Sequence, residues 1–381
     1  MGSGNCLSFF LLDVEALARR FARRYNEVMA PQDNARLKRR PGRTTLVMLL
    51  GAGVILVITV WGRQFSSSSS LAATPSDRTR AAQLKIVIAK LEPLHTKISK
   101  PRPGDWLDRH HERGQTFAEY LASRPVRPIG RRNILYVQPL GAFTKSQRKT
   151  ISLAAEFMGL YFNTKVVVRK DLPLTVIPSK ARRVHPQWRV KQILSTYVLD
   201  QVLYRRLPKD AAAYIAFTAS DLWPGEGWNF VFGQASLRRR VGVWSVNRNG
   251  QPDKSPADFR LFLLRTLKTA THETGHMFSM YHCTAYECNM CGSNHREESD
   301  RRPIALCPQC LAKVCWAARI DPIKRFAALY SFCARNGLKK QAAFYAKSIR
   351  ALGGKLPSTR SATGGASQNK SHTTGPKPES R

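Results

Sequence analysis

The apolar residues of this chain fall into three patterns, and each predicts a different kind of element. One is an uninterrupted run. Thr44 to Gly62 carries no charge, is apolar on every face as a helix, and is bracketed by Arg43 and Arg63. As a helix of about 19 residues it would extend about 28 Å at 1.5 Å per residue, against about 30 Å of bilayer hydrocarbon. The run is therefore expected to be a single transmembrane helix. Arg36, Lys38, Arg39, Arg40 and Arg43 precede it and only Arg63 closely follows. Positive-inside reasoning then puts the N-terminus in the cytoplasm and the rest of the chain across the membrane.

The second pattern is short runs of β-formers bounded by turn residues, which predicts strands over Asn133 to Val137, Lys165 to Val168 and Ala213 to Thr218. Residues 229–234 and 241–246 are expected to form a hairpin or two adjacent strands, and the turn-formers of 221–228 a loop. In the third pattern apolar residues recur every three or four positions, which predicts helices over Arg80 to Leu91, Ser146 to Leu160, Phe259 to Met277, Pro322 to Cys333 and Lys339 to Leu352. In the 259–277 helix Leu261, Leu264 and Leu267 are expected to face inward. Ile193, Leu194, Tyr197, Val198 and Val202 also recur at helical spacing and are assigned to the core. The chain thus divides into a basic N-terminal segment (1–43), the apolar span (44–62), a linker with a possible helix (63–100), a folded region (101–352) and a Gly-, Ser-, Thr- and Lys-rich tail (353–381) expected to be disordered.

Charge alters this picture less than its size suggests. The net charge is +37, from 62 Lys and Arg against 25 Asp and Glu, which invites a nucleic-acid or anionic-membrane reading. The basic residues are spread in short runs without a recognisable nucleic-acid module, so nucleic acid is not the expected partner. Cysteine is more informative. Cys6 stands alone, and the other seven lie between Cys283 and Cys333, which argues against a chain-wide disulfide framework. Thiolate metal sites are commoner in reducing compartments, which conflicts with the topology read from the charges, and the compartment stays open.

Candidate chemistry concentrates between His272 and Cys310. On a helix His272 and His276 project from one face, so both imidazoles can reach one ion. Glu273 lies beside them, placed to take a proton from a metal-bound water. His282 is too far along for the same face, so the helix must stop and the chain turn back to deliver a third nitrogen. Three imidazoles around zinc leave a position for water, whose pKa the ion lowers toward roughly 7.

These residues resemble the archaemetzincin family of zinc peptidases, within the metzincins. The metzincin pattern H-E-x-x-H-x-x-G-x-x-H is met by His272, Glu273, His276 and His282, and its archaemetzincin extension by Cys283, Cys288, Met290, Cys307 and Cys310. The runs Gly292 to Pro303, Trp228 to Ser236 and Pro103 to Trp106 are similar to the same family. The resemblance implies an α/β fold, a metzincin-like zincin catalytic domain with a mixed sheet and an active-site helix, acting on peptide or protein substrates. It also implies two zinc ions: a catalytic one held by His272, His276 and His282, and a structural one held by Cys283, Cys288, Cys307 and Cys310. Met290 would lie beneath the catalytic ion as a soft packing residue.

One departure bears on activity. Where the family has glycine at the turn that ends the helix, this chain has Ser279, and a side chain in a left-handed turn costs roughly 1 kcal/mol. A catalytically weak or inactive zincin that serves as a zinc-stabilised binding protein is therefore the alternative to a peptidase. A nucleic-acid-binding zinc protein is a third reading, resting on the charge and the four-cysteine spacing.

Overall fold

The computed structural model describes residues 74–236 and 239–357. Its first helix, α1 (Pro75–Leu91), is followed by strand β1 (Ile134–Leu140), helix α2 (Lys145–Phe162) and strand β2 (Lys165–Val168). Strands β3 (Arg182–Val184), β4 (Lys191–Leu194), β5 (Ala211–Thr218), β6 (Asp221–Trp223), β7 (Gly233–Ser236) and β8 (Val241–Ser245) come next. The chain then enters α3 (Pro256–Met277), α4 (Pro308–Ala317), α5 (Pro322–Arg335) and α6 (Lys339–Ala351).

The main sheet has the order β2-β1-β5-β8-β7. Its first four strands are parallel, and β7 runs antiparallel along the β8 edge. Strand β5 is buried along its whole length, as expected of a parallel strand covered on both faces. Side-chain alternation splits the core in two. Leu135, Val137, Ile215, Phe217 and Trp244 join α2 and α3 on one face, whereas Tyr136, Tyr214, Ala216, Val241 and Val243 join Val198, Leu199 and Val202 on the other. Beside it lies a three-stranded sheet of order β3-β4-β6.

Local chemistry explains the two helices that matter most. In α2, Thr144 and Gln147 form a reciprocal capping box, and Asn163 ends the helix in the left-handed conformation at φ 51°. In α3, the Ser255 side chain accepts from the Asp258 N–H, with Pro256 in the first turn. Phe262, Leu263, Leu267, Ala270 and Met277 form its buried stripe.

Several expectations need correction. Among the described residues no helix is long and apolar enough to cross a membrane. The transmembrane helix expected at 44–62, which lies outside the described residues, is therefore no part of the fold found here, and the single-pass membrane localisation built on it is withdrawn. Leu261 is 41% exposed rather than inward; α3 buries the neighbouring positions Phe262 and Leu263 instead. Ile193 and Leu194 belong to β4, and the helical stretch begins only at Ser195. The 221–228 segment starts as strand β6, because Asp221 to Trp223 pair in parallel with Gln192 to Leu194.

Candidate active site

The last turns of α3 carry the histidines, and the sequence holds those turns rigidly. Thr271 and Thr274 are buried and donate their hydroxyls to the carbonyls of Leu267 (2.8 Å) and Ala270 (2.7 Å), which satisfies them inside the core. Gly275 is small for a reason: a Cβ there would meet Met290 Sδ at 2.7 Å. Met290 thus packs against the helix between the two histidines, as a soft filler.

The helix ends in a Schellman-type closure, with the Met280 N–H donating to Gly275 O at 3.1 Å. Ser279 occupies the left-handed position at φ 65°. Its hydroxyl is used, because Oγ accepts from the Val126 N–H at 3.0 Å. The turn aims the Met280 carbonyl back at the helix, where His276 Nδ1 donates to it at 2.6 Å.

Each of the other two imidazoles is oriented in the same way. His272 Nδ1 donates to Asn289 O at 2.8 Å, while the Asn289 side chain donates to Thr271 Oγ1 at 2.8 Å. His282 Nδ1 donates to the Glu112 carboxylate at 2.8 and 3.0 Å. A carbonyl or carboxylate can only accept, so all three rings carry a proton on Nδ1, and the neutral rings of His272 and His276 present a bare Nε2 inward. Nε2 of His272 and Nε2 of His276 then face each other at 3.0 Å. Two lone pairs at that distance repel unless a cation lies between them. Burial pushes His272 down to about 3 and His276 well below its usual value, which keeps both neutral, as metal ligands must be. The donor set fits a zinc ion.

Glu273 sits in the turn between these rings and lines a cavity of about 80 Å³ with His272, Phe232 and Asn289. Burial raises its carboxyl to about 7, against a smaller lowering by His282. Edge strand β7 begins directly above it, where a Cβ on Gly233 would lie 3.6 Å from Glu273 Cγ.

The second donor set starts one peptide bond after His282. Cys283, Cys288, Cys307 and Cys310 are buried, unpaired by disulfide, and have ligand atoms within 4.8 Å of one another. Sγ of Cys283 and Sγ of Cys307 are 3.7 Å apart. That is far too long for an S–S bond of about 2.05 Å, and close to the roughly 3.8 Å that two Zn–S bonds of about 2.3 Å subtend at a tetrahedral angle. Backbone N–H groups of Cys307 and Cys310 point at Cys288 Sγ (3.2 Å) and Cys307 Sγ (3.5 Å), as suits thiolates. Cys291 lies beside the cluster but donates to Tyr286 O at 3.2 Å. Cys315 and Cys333 are buried elsewhere.

A third group of donor-type side chains, Asp105, His295 and Glu298, has a different use. Asp105 binds Arg301 at 2.7 Å, and Glu298 accepts from the backbone N–H groups of Trp106 (3.0 Å) and Asn294 (2.8 Å). Both carboxylates clamp the Trp106 segment to the short helix Arg296–Arg301. The Trp106 ring meets His282 edge-on at 5.1 Å between centroids.

Glu112 is the residue the sequence did not disclose. It lies 170 positions before its partner, with no local spacing to link them. The segment around it is fastened at several points: Tyr120 Oη donates to Phe278 O at 2.8 Å, Gln115 Nε2 to Ser279 O at 3.3 Å, and Lys313 Nζ to Gln115 O at 2.5 Å.

Residues 176–315 match Peptidase family M54, so the class is that of a zinc metallopeptidase acting on peptide or protein substrates. Rat archaemetzincin-2 is 34% identical over 268 residues, 62% of this chain and 74% of the relative. Human archaemetzincin-2 is 30% identical over 298 residues, 69% of this chain and 82% of the relative. A crystal structure of archaemetzincin from Methanopyrus kandleri shares 27% identity at a TM-score of 0.40, covering 50% of this chain and 98% of that one. The chain belongs to the archaemetzincin family.

Proposed function

We propose that this peptidase works through Glu273 as its proton-transferring group, with His272, His276 and His282 holding a catalytic zinc. Cys283, Cys288, Cys307 and Cys310 hold a second zinc that is structural. A zinc ion on three imidazoles supplies Lewis acidity and brings the pKa of a water near neutrality. The chain's own residues do the rest. Nδ1 of each histidine is tied to an acceptor, which fixes ring rotation and leaves Nε2 as the donor. Glu273 takes a proton on its carboxylate as water attacks the peptide carbonyl, then delivers it to the departing amine nitrogen. Four thiolates leave no open position, so the second site has no catalytic part. Its work is to hold Cys283, and with it the loop that presents His282.

The observation that carries this reading is the place of Glu273 in the helical turn between two imidazoles whose Nε2 atoms face each other at 3.0 Å, with desolvation raising its carboxyl to about 7. A group poised near neutrality both accepts and returns a proton readily. The binding-protein alternative rested on Ser279, whose side chain is accommodated at φ 65° with its hydroxyl bonded to Val126. The test is turnover of a broad peptide library by the full-length, zinc-loaded chain. Glu273→Ala should retain zinc and lose about 10²- to 10⁴-fold in kcat. Equal turnover by the two proteins would exclude Glu273 as the proton carrier.

A further inference from the structure

Three arginines lie around Asn249 next to the site, and among the described residues two of them form ion pairs, while Asp300 attracts the third, Arg296, only at longer range. Arg248 pairs with the buried Asp221 at 2.8 Å, and Arg265 with Asp300 at 3.0 Å. Arg296 has no carboxylate partner among the described residues. Its guanidinium lies over the Phe232 ring, 4.0 Å from the centroid, and one Nη donates to Asn249 Oδ1 at 2.9 Å. Its Nε is buried with no hydrogen-bond partner among the described residues. Burial lowers its pKa to about 10, which leaves it charged at neutral pH. A partly desolvated cation with unused donors costs stability that an anion from outside would recover.

The position of this cation bears on substrate choice. Phe232, on which it rests, lines the cavity that also holds His272 and Glu273, and leads directly into edge strand β7. Arg296 does not itself line that cavity but stacks on a residue of its wall, so a peptide side chain that reaches past Phe232 would meet its guanidinium. A carboxylate is the complement the fork geometry favours.

We propose that Arg296 is a specificity-determining residue that selects peptides bearing a carboxylate beside the scissile bond. The proposal rests on the reading of His272, His276, His282 and Glu273 as the hydrolytic centre. The carboxylate is an acidic side chain or the peptide's own C-terminus, and the two are separable by experiment.

The test measures binding apart from turnover, using the full-length, zinc-loaded Glu273→Ala chain. The probes are fluorescein-labelled, C-terminally amidated decapeptides of Ala and Leu in which one Glu is walked along the sequence, each matched by its Gln counterpart. At one or two adjacent positions the Glu peptide should bind about tenfold or more tightly than the Gln peptide, as a charge-assisted hydrogen bond allows. In the Glu273→Ala/Arg296→Gln protein the ratio should fall to within twofold of one, and Arg296→Lys should retain part of it. A gain that needs a free C-terminus and Arg296 assigns the carboxylate to the chain end, which supports the same recognition. A Glu/Gln ratio near one throughout, or one that survives in Arg296→Gln, overturns the proposal. If Arg296→Gln lowers the melting temperature, Arg296→Met is read in its place. Cleavage by the Glu273 protein with no Glu/Gln discrimination overturns this inference and leaves the hydrolytic reading standing. Arg296-dependent binding without any cleavage does the reverse.

Discussion

The two donor sets meet at the His282–Cys283 peptide bond and are held in opposite ways. The histidine set is assembled from afar: its rings are steered by Asn289, by Met280 and by Glu112, 170 positions upstream. The cysteine set is nearly self-contained, with thiols held by one another and by the backbone N–H groups of Cys307 and Cys310. The difference teaches that one set can form wherever its loop closes, whereas the other exists only when the rest of the fold is in place. Dependence should run in one direction, from the cysteines to the histidines.

Cys307→Ala gives the largest effect by which to break this comparison. Structural zinc contributes on the order of 10 kcal/mol to folding, so the variant should lose both ions and fail to purify as a folded chain. His276→Ala should lose one zinc per chain and keep the other. Metal analysis of the two proteins decides the matter: if Cys307→Ala retains a full complement at the histidines, the two sites are independent.

Next in size is Glu112→Ala, which should weaken zinc at the histidine site about 10- to 100-fold and leave the cysteine site untouched. Competition with a graded chelator measures both affinities. Glu112→Gln, which can still accept the Nδ1 hydrogen bond, should fall between.

In protein whose histidine site alone has been emptied by chelator, the cysteine site keeping its ion, a pH experiment isolates Glu273. Its folded-state pKa of about 7 lies above its ordinary value of 4.5, so the fold favours the protonated form. Stability from this group is complete below about 4.5 and is lost as pH rises through about 7. The depressed values of His272 and His276 act in the opposite direction, with stability lost as pH falls from about 6.5, so wild type alone is uninformative. The difference in melting temperature between Glu273→Gln and wild type removes their contribution. It should grow in favour of the glutamine variant between pH 4.5 and 7, and a constant difference would contradict the raised carboxyl.

The smallest effect belongs to Ser279→Gly. Glycine relieves roughly 1 kcal/mol of left-handed strain but gives up a hydrogen bond to Val126 worth a similar amount. Chemical denaturation should find the two proteins within about 1 kcal/mol. A larger loss would show the Ser279–Val126 bond to be a principal fastening of the upstream segment.

What the sequence disclosed follows the same division as the two sites. The helix through Met277, the donor spacings and the αL demand at residue 279 are short-range properties, legible from neighbours alone. Strand β5 was legible because eight consecutive residues are buried. Periodicity failed where two elements abut: Ile193 and Leu194 sit in a strand that runs straight into a helical turn, so a single helical spacing spanned both. Leu261 was misread because an apolar residue near a helix N-terminus matched the stripe yet stays 41% exposed. Glu112, Asn249 and Arg296 were illegible because their meaning comes from tertiary partners. The uninterrupted apolar run at 44–62 suggested a spanning helix, but it lies outside the described residues, among which no helix is long and apolar enough to cross a membrane.

The reach of Glu112 also bears on what counts as the enzyme. All seven proposed zinc donors and Glu273 fall inside the 176–315 stretch that defines the family. A chain trimmed to that stretch would keep every reactive atom yet lack the carboxylate that turns His282, the Val126 amide that holds Ser279, strand β1 within the sheet and helix α2 beneath it. Such a fragment would hold the parts of a hydrolase without the tension that keeps them aligned.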